Sequence, residues 1–339
     1  MAVLRTLMSR LSPARRVERS PGAPAQRIVL LEHARMPSTD YFVLPWARRR
    51  GVEVVRIDTR DDKPPPQGVL RAADQVVIVR YLPRPWRVVL EALSGSLAGL
   101  VYFMDDDLLD PAALTDLPRD YARKIQRLAT SQRAWFEQHC SEFWVSTPML
   151  AAKYAPLAAQ LLPTRPPPEL LQRVQALRYC YHGTSSHRGE IDWLFGVVRQ
   201  VQGRCADAHF ELFGDHRVNR LYRELPRVAI VHPMGWENYL AFTAGASRHI
   251  ALAPLMPGAF NAGRGVVKFF DFVRIGAVGL YSDRPPFAGF IRHGVDGLLV
   301  GDDPQAWVDA IVALAGDSVA RQRMAEAAAQ RARVESTTP

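Results

Sequence analysis

Residues 261–281 read NAGRGVVKFFDFVRIGAVGLY, a glycine-bearing loop followed by an amphipathic run, Gly276 and an apolar strand pattern. Apolar residues recur at helical spacing from Val266 to Ile275, and Val278–Tyr281 has the continuous apolar character of a buried strand. A loop that opens a helix leaves free backbone N–H groups at its start, where an anion is held favourably. The segment therefore predicts one helix–strand repeat of an α/β fold, with an anion site at its loop.

The same alternation of short apolar runs and longer amphipathic runs extends in both directions along the chain. Strands are predicted at Ile28–Leu31, Glu53–Ile57, Gln75–Val79, Leu100–Met104, Phe143–Val145, Leu177–Tyr181, Phe210–Phe213, Val228–Val231, Ile250–Ala253, Val278–Tyr281 and Gly297–Val300. Helices are predicted at Tyr41–Arg50, Trp86–Leu93, Tyr121–His139, Met149–Tyr154, Glu190–Gln202, Asn238–Ser247, Val266–Ile275, Gln305–Leu314 and Val319–Arg333. Apolar strands separated by helices are typical of parallel sheets covered on both faces. We therefore expect an α/β protein with two Rossmann-like parallel-sheet domains that face each other across a cleft, and a ligand at the carboxyl ends of the strands.

A proline cluster interrupts this alternation near the middle of the chain. Residues 162–168 read LPTRPPP, a composition in which no helix or central strand can continue. The expected organisation is a basic tail at 1–24, a first Rossmann-like domain at 25–160, a proline-rich linker at 161–175, a second Rossmann-like domain at 176–316, and a C-terminal helix and tail at 317–339.

Composition narrows the class of protein. The chain has 339 residues, 48% of them hydrophobic and 23% charged, which is typical of a folded globular protein. Its cysteines lack disulfide or metal spacing and indicate reduced thiols, and no apolar run approaches the ~20 residues of a membrane-spanning helix. We therefore expect a cytoplasmic protein. The net charge of +9 favours anionic partners, and an arginine-rich genomic bias explains it equally well.

The basic tail at 1–24 stands apart from the rest of the sequence. Its apolar residues recur at helical spacing from Val3 to Leu11 among arginines, until Ser20-Pro21-Gly22 ends the pattern. A short basic helix on an anionic membrane surface, a frayed tail and a transit peptide all fit this composition. The first interpretation would make the protein peripheral at the inner face of the cell membrane.

Two cations stand at the start of the helix predicted in 266–275. Arg264 and Lys268 are four residues apart and are expected on one face of its first turns. Helix dipole, backbone donors and charge-assisted hydrogen bonds together bind a diphosphate without a metal. Asp271 follows Lys268 by three residues, where its carboxylate could accept hydrogen bonds from sugar hydroxyls. The alternative is an ordinary amphipathic helix with a solvated basic edge.

Four further segments of the second half share a pattern with residues 261–278. They are HGTSSHR at 182–188, FELFG at 210–214, VHPMGWENY at 231–239 and HGVDGLLV at 293–300. In order and spacing these segments resemble the donor-binding domain of GT-B-fold glycosyltransferases of family 4. The resemblance covers about residues 177–316, and the first half only by architecture. It implies that a nucleotide-diphosphate sugar is the donor and is bound by Gly183, Thr184, Arg188, Gly214, Asn261, Arg264, Lys268 and Asp271.

One departure from that family's pattern concerns its Glu-x7-Glu pair. Asp271 occupies the second position, but Gly263 stands where the first glutamate is expected. The carboxylate that contacts the donor sugar in the family is therefore missing or supplied by another residue. This leaves the stereochemical outcome and the donor sugar open, together with the alternative of an inactive homologue.

A second constellation follows an apolar strand in the first half. Asp105, Asp106 and Asp107 formally fit the Asp-x-Asp metal signature of the other glycosyltransferase class, GT-A. We disfavour that interpretation because the diphosphate already has a basic site in the second half. In the GT-B interpretation Asp106 is an acceptor-side general base, and the alternative is that Asp106 or Asp107 caps a helix.

Together these patterns predict a metal-independent glycosyltransferase that moves a sugar from a nucleotide-diphosphate donor to an acceptor hydroxyl. Asp106 and Asp271 are its candidate catalytic residues. The expected acceptor is a cell-surface glycan or its lipid-linked precursor, with no further cofactor and no nucleic acid as partner. The competing hypothesis is a non-catalytic basic scaffold that binds an anionic polymer. A nicotinamide oxidoreductase is disfavoured because no Gly-x-Gly-x-x-Gly follows Ile28–Leu31.

Overall fold

The computed structural model describes residues 25–337, apart from Gln26, Asp62, Pro64, Gln67, residues 173–175, residues 184–186 and Ala246. The chain forms two compact units, unit 1 up to residue 173 and unit 2 from residue 174. This division falls within the predicted linker at 161–175. The predicted basic tail at 1–24 lies outside the described residues, so its interpretations remain predictions.

Unit 1 is built on a six-stranded parallel sheet with the strand order β2-β1-β3-β4-β5-β6. Its strands are β1 Arg27–Glu32, β2 Glu53–Asp58, β3 Asp74–Val79, β4 Gly99–Met104, β5 Glu142–Val145 and β6 Gln160–Leu161. Both β1 and β4 are buried along their whole length, as strands covered on two faces must be. Successive residues of β1 enter opposite cores, Val29 and Leu31 on one face and Ile28 and Leu30 on the other.

Two of the helical segments predicted in unit 1, Tyr41–Arg50 and Tyr121–His139, are shorter or divided in the structure. The helices of unit 1 are α1 Leu44–Arg48, α2 Arg84–Leu93, α3 Arg119–Leu128, α4 Arg133–His139, α5 Pro148–Lys153 and α6 Pro168–Leu171. The continuous helix predicted at Tyr121–His139 is wrong, because the chain breaks at Ala129 between α3 and α4. There Thr130 donates to the Leu108 carbonyl at 2.7 Å, and Gln132 donates to the Leu82 carbonyl at 2.6 Å. These buried polar contacts hold a 3₁₀ turn in place of the helix.

Two further differences lie at the helix pattern of Tyr41–Arg50 and at the linker. A π-helical turn at Thr39–Val43 precedes α1, and Pro45 is tolerated because it stands in the first turn of α1. The predicted linker at 161–175 carries secondary structure at its start and in its middle. Leu161 belongs to edge strand β6, and Pro168 begins α6 at the first helical position, which does not require an N–H donor.

Unit 2 has a second six-stranded parallel sheet, in the order β12-β11-β10-β7-β8-β9. Its strands are β7 Leu177–Tyr181, β8 Ala208–Phe213, β9 Val228–Val231, β10 Ile250–Ala253, β11 Val278–Ser282 and β12 Leu298–Val300. The chain builds outward from β7 to β9 and then crosses back to β10 on the other side of β7. This is the doubly wound Rossmann order, with its topological switch point between β7 and β10.

Helices cover both faces of the unit 2 sheet. They are α7 Arg188–Arg204, α8 His216–Tyr222, α9 Trp236–Ala244, α10 Ala259–Ala262, α11 Val267–Arg274, α12 Pro304–Gly316 and α13 Ser318–Thr337. The last helix packs on α11, α12 and β11 and buries Met324, Ala328 and Ala332. The prediction of two Rossmann-like parallel-sheet domains is confirmed by the two sheets. Among the helices of the described ranges, none has the length and apolarity needed to cross a bilayer.

Candidate functional site in unit 2

The candidate site lies at the carboxyl edge of the unit 2 sheet, beside the switch point. Strand β7 ends at Tyr181 and is followed by His182 and Gly183. A Cβ atom on Gly183 would lie 2.6 Å from the Tyr181 ring, so only glycine fits this turn without a shift. Thr184, which the resemblance assigns to the donor, lies outside the described residues.

One pocket at this edge, here named the aromatic pocket, has a volume of about 340 Å³. It is lined by His182, Gly183, Phe213, Pro233, Met234, Trp236, Tyr239, Lys268 and Asp271. The Trp236 side chain is 61% exposed and stacks on Tyr239, with ring centroids 5.6 Å apart and planes inclined by 28°. The Arg274 guanidinium lies over both rings, 5.5 Å and 5.0 Å from their centroids. An exposed ring supported from behind is suited to stacking against a planar group such as a nucleobase.

A neighbouring pocket, the cationic pocket, has a volume of about 270 Å³. It is lined by Tyr181, His187, Ala253, Pro254, Leu255, Arg264, Gly265, Val267, Lys268 and Phe287. Arg264 and Lys268 thus share one cavity wall. The four-residue spacing predicts Arg264 in the first turns of the helix. In the structure Arg264 lies before the helix, in the loop between α10 and α11.

Lys268 lies between the two pockets and lines both of them. Its side chain is 25% exposed, and its ammonium group donates a hydrogen bond to the carbonyl oxygen of His182. Burial lowers the pKa of Lys268, and the Asp271 carboxylate, 4.0 Å from Nζ, opposes this shift. The remaining ammonium protons are available to a ligand in either pocket.

Arg264 is held by an imidazole instead of a carboxylate. One of its guanidinium nitrogens is 2.8 Å from Nε2 of His187, which must accept this hydrogen bond in its neutral form. Burial, followed by the charge of Arg264, lowers the pKa of His187 and favours that form. The Nε atom of Arg264 is buried and has no hydrogen-bond partner within the described residues. Arg264 therefore retains its positive charge toward the cationic pocket.

The loop that carries Arg264 is anchored on α7. The carboxylate of Glu190, which is 4% exposed, accepts long hydrogen bonds from the Met256 N–H at 3.4 Å and from Asn261 Nδ2 at 3.3 Å. Asn261 also donates to the Met256 carbonyl at 2.8 Å. Asn261, predicted to bind the donor, is thus engaged in holding the loop from within α10, and the sequence reasoning missed Glu190.

A buried hydrogen-bond network supports the aromatic pocket from below. Nδ1 of His182 is 2.9 Å from the Tyr239 hydroxyl, and its Nε2 is 2.9 Å from Glu211 Oε1. Arg248, 1% exposed, donates to both oxygens of Glu211 at 2.8 and 3.2 Å. Burial alone would raise the pKa of Glu211, but the hydrogen bonds from His182 and Arg248 outweigh it and keep the pKa below its usual range.

These partners assign the proton positions in the network. An ionised Glu211 requires His182 to donate from Nε2, so Nδ1 accepts from the hydroxyl of Tyr239. Burial lowers the pKa of His182 and raises that of Tyr239, which favours the neutral imidazole and the protonated phenol. Sequence reasoning missed this network because its members are distant in the chain. The residues at the ends of two neighbouring strands, 181–183 and 211–214, are the signal in the sequence that could have located this network.

Asp271 lies at the floor of the aromatic pocket. Its carboxylate is 16% exposed and accepts from Arg274 at 3.3 Å, while Arg274 also donates to Thr243 at 2.7 Å. The second carboxylate oxygen faces Lys268. Two cations therefore flank the Asp271 carboxylate beside the stacked rings of Trp236 and Tyr239.

Arg188 and Gly214 line neither of these pockets. They lie in a smaller adjacent pocket of about 40 Å³, together with Ile191, Phe213, Asp215, Arg217, Val218 and Pro233. A Cβ atom on Gly214 would lie 2.4 Å from Val218, so this glycine permits α8 to approach the end of β8. A packing role for Gly214 follows directly from this geometry.

The three aspartates predicted in unit 1 stand at the carboxyl end of β4 and have different partners. Arg80 donates to Asp105 and lies 2.8 Å from Asp106, whose side chain is 64% exposed. Asp107 accepts from Lys153 at 2.6 Å and from the Tyr154 hydroxyl at 2.5 Å. No helix begins at these residues, so the capping alternative for Asp106 and Asp107 is wrong. Asp110 is the residue that caps the following 3₁₀ turn.

Two hydroxyl side chains near strand ends of unit 1 have different roles. Thr147 caps α5 through a hydrogen bond from the Leu150 N–H, with Pro148 at the first helical position. Ser38 does not cap the turn that follows it, because its hydroxyl donates instead to Asp105 at 2.6 Å. In the described part of the chain, no group of three or more His, Cys, Asp or Glu side chains is placed to hold a metal ion.

Comparison with known proteins gives matches in solved structures. No family profile matches the chain. No curated protein matches it either. The chain overlaps a mutant of TarM from S. aureus, in a complex that contains UDP, at 9% identity and a TM-score of 0.40, covering 78% of this chain and 53% of that one. It overlaps WaaG, a glycosyltransferase involved in lipopolysaccharide biosynthesis, at 15% identity and a TM-score of 0.39, covering 90% and 95%.

A third overlap is with Alr3699/HepE of Anabaena in complex with UDP and glucose. The identity is 12%, the TM-score 0.37, and the coverage 91% of this chain and 95% of that one. The chain thus spans about half the length of TarM and nearly the whole of the other two. Overlaps at these TM-scores carry no argument about activity, so the fold class rests on the strand orders of the two sheets.

Proposed function

We propose that the protein is a glycosyltransferase that moves a sugar from a nucleotide-diphosphate donor to an acceptor hydroxyl. The observation that carries this proposal is Lys268, which lines an aromatic pocket on one side and a cationic pocket on the other. A nucleoside diphosphate has matching groups in the same order. It has a planar base for the aromatic pocket, then a hydroxyl-bearing ribose, then two linked phosphates for the cationic pocket. The switch point of a Rossmann sheet is the position at which such ligands bind.

Each part of the donor has a chemically matched partner. The base would stack on Trp236, and the Asp271 carboxylate would accept hydrogen bonds from the ribose hydroxyls. Lys268 and Arg264 would bind the diphosphate and stabilise the negative charge that develops on it as the glycosidic bond breaks. These two cations would do without a metal what a divalent cation does elsewhere.

Sugar transfer exchanges one bond of the anomeric carbon for another. The acceptor oxygen bonds to the anomeric carbon, the bond between that carbon and the diphosphate oxygen breaks, and the nucleoside diphosphate leaves with the electron pair. The acceptor's proton passes to a base, for which Asp106 is the candidate because it is the most exposed of the three carboxylates after β4. Gly263 in the place of a glutamate leaves the retaining or inverting outcome to experiment.

The acceptor is proposed to be a cell-surface glycan or its lipid-linked precursor. The net charge of +9 and the basic residues of 1–24 support a position at the inner face of an anionic membrane. Neither nucleic acid nor a further cofactor has a part in this proposal. The competing hypothesis is a basic scaffold that binds an anionic polymer, which would need no selective nucleotide site.

Thermal unfolding with a panel of nucleoside diphosphates tests the proposal. A ligand at 100 times its dissociation constant adds about 2.7 kcal/mol to the free energy of unfolding. We expect one base to give a larger shift than the others, and a mass-spectrometric screen of the matching nucleotide sugars to detect transfer or donor hydrolysis. Equal, salt-sensitive shifts with every diphosphate, together with no turnover, would favour the scaffold.

A further inference from the structure

The unit 1 sheet has a switch point of its own, between β1 and β3. Strand β1 lies between β2 and β3, so the connections after β1 and β3 leave the sheet in opposite directions. His33 follows β1, and Arg80 and Tyr81 follow β3. In open α/β sheets the crevice at such a point is where ligands bind.

The ring of Tyr81 is surrounded by basic side chains at this place. The ammonium group of Lys124, on α3, is 4.7 Å from the ring centroid, and the Arg80 guanidinium is 5.4 Å away. The His33 ring meets it edge-on at 5.7 Å. Arg80 also donates to the hydroxyl of Tyr121 at 2.9 Å, and the Tyr121 side chain is 38% exposed.

The basic groups differ in whether a carboxylate balances them. Arg80 is neutralised by Asp105 and Asp106. Lys124 has no ion pair with any carboxylate of the described residues, and its contact is the face of Tyr81. Burial, followed by the charges of Arg80 and Arg127, lowers the pKa of Lys124, as expected for a cation in a positive surrounding. Nδ1 of His33 is buried and also lacks a partner within the described residues.

Through Arg80 and Tyr81, the exposed carboxylate of Asp106 is therefore linked to Lys124, a cation with no carboxylate partner among the described residues. Asp106 can accept from a hydroxyl, Tyr121 offers an exposed ring for a sugar face, and Lys124 offers a charge for an oxyanion. We propose that this crevice binds a sugar-containing acceptor that carries a phosphate or a carboxylate, and that Lys124 binds that oxyanion. That the bound sugar is the acceptor rests on the proposed function, whereas the presence of an anion site does not.

Calorimetric titration with three matched sugars tests this site. Methyl glucoside is neutral, methyl glucuronide carries a carboxylate, and glucose 6-phosphate carries a phosphate. We expect wild-type protein at low salt to bind at least one of the charged sugars about tenfold or more tightly than the neutral one, because charge-assisted hydrogen bonds are about twice as strong as neutral ones. If glucose 6-phosphate binds more tightly than methyl glucuronide, the preferred anion is a phosphate. The reverse order identifies it as a carboxylate.

Three variants test whether Lys124 causes the preference for a charged sugar over the neutral one. Lys124→Gln is expected to abolish it and Lys124→Arg to retain most of it. Arg123→Gln, on the exposed side of the same helix, should leave it unchanged. Equal binding of all three sugars by the wild type, no binding of any, or a preference that survives Lys124→Gln would overturn the proposal.

A fourth variant separates this site from the donor site. Lys268→Gln is expected to weaken nucleoside diphosphate binding and to keep the preference for the charged sugar. If Lys268→Gln left nucleoside diphosphate binding intact, the proposed function would fail while the unit 1 site stood. If Lys268→Gln removed the sugar preference, the anion would be bound in unit 2 and the unit 1 site would fail.

Discussion

The carboxyl edges of the two sheets use charge in different ways. At the edge of unit 1, Arg80 binds Asp105 and Asp106, and Lys153 binds Asp107. Opposite charges therefore neutralise each other within the protein, and the pairs fix the strand ends relative to one another. At the edge of unit 2, the two cations that line the cationic pocket are held mainly by neutral groups.

Those neutral acceptors leave the unit 2 edge positively charged. Lys268 donates to the carbonyl of His182, and Arg264 to the neutral ring of His187. Asp271 is the carboxylate nearest to Lys268, at 4.0 Å, and it is shared with a second cation. A cation paired with a carboxylate serves mainly the fold, whereas a cation bound to a neutral acceptor still attracts an anionic ligand. Loss of a charge at the unit 1 edge is therefore expected to lower stability, and loss of a charge at the unit 2 edge to lower ligand binding.

The largest expected effect is on the stability of unit 1. Asp105→Ala leaves the 7%-exposed Arg80 with the 64%-exposed Asp106 as its carboxylate partner among the described residues, and it removes the acceptor of the buried Ser38 hydroxyl. The variant should lower the free energy of unfolding by about 3–5 kcal/mol. Urea denaturation measures the change. Asp120→Ala, which removes the exposed pair with Arg123, should change it by less than about 0.5 kcal/mol. An equally small effect at Asp105 would break the contrast between the two edges.

The second prediction concerns catalysis at unit 2. Lys268→Ala should lower kcat/KM for sugar transfer by about 10²–10³-fold, because it removes the charge that stabilises the leaving diphosphate. Its stability should change little, since burial already disfavours this charge and the nearest carboxylate is 4.0 Å away. Arg204→Ala, which breaks a pair with Asp309 on the surface of α7, serves as control. Transfer at the wild-type rate would show that the diphosphate binds elsewhere.

The third prediction separates the two pockets of unit 2. Trp236→Ala should weaken nucleoside diphosphate binding by about 1–3 kcal/mol, the usual cost of losing one base–aromatic stack. The matched variant Phe260→Ala removes an 80%-exposed ring that does not line the aromatic pocket, and it should leave base selectivity unchanged. Calorimetry with each diphosphate compares the two. If Trp236→Ala changed the selectivity for the base no more than Phe260→Ala does, the base would not lie in the aromatic pocket.

The smallest expected effect is a dependence of stability on pH. Burial lowers the pKa of several histidines among the described residues. In unit 1 this is His33, and in unit 2 these are His182, His187, His209 and His249. The unfolded chain then binds more protons below its ordinary histidine pKa of about 6.5, so stability falls as pH drops from 6.5 toward the folded pKa. For His182, 7% exposed, the slope is up to about 1.4 kcal/mol per pH unit.

Urea unfolding at pH 7.5, 6.5 and 5.5 measures this slope in the wild type and in His182→Gln. The variant should show a shallower fall below pH 6.5, because it removes one group that takes up a proton on unfolding. Histidine variants at exposed His232 should leave the slope as it is. A slope that is the same in wild type and His182→Gln would mean that His182 is not held neutral by its buried partners.

Much of the fold follows from local pattern, and the parts that do not are set by distant contacts. The strands at 177–181, 228–231 and 250–253 were predicted to the residue, because apolar runs between turn-forming residues mark buried strands. The break at Ala129 was missed, since neither glycine nor proline announces it. Its cause is the pair of hydrogen bonds that Thr130 and Gln132 make to backbone far away in the chain.

The candidate site shows the same division. The pairing of Arg264 with Lys268 and the nearness of Asp271 follow from spacing within one segment, and the structure brings the three to adjoining pocket walls. His182 and Glu211 are 29 residues apart, and only the pairing of β7 with β8 brings them together. Their partnership depends on strand register, which the sequence pattern alone does not define.

The backbone of Arg80 has an evolutionary consequence. Its φ of +64° is a left-handed conformation that costs a non-glycine residue free energy, and the contacts of the guanidinium with Asp105 offset that cost. Glycine at this position would relieve the backbone and lose the ion pair, while an apolar side chain would keep the strain without the ion pair. Positions 80 and 105 are therefore expected to covary among homologues, each substitution being tolerated only alongside a change in the other.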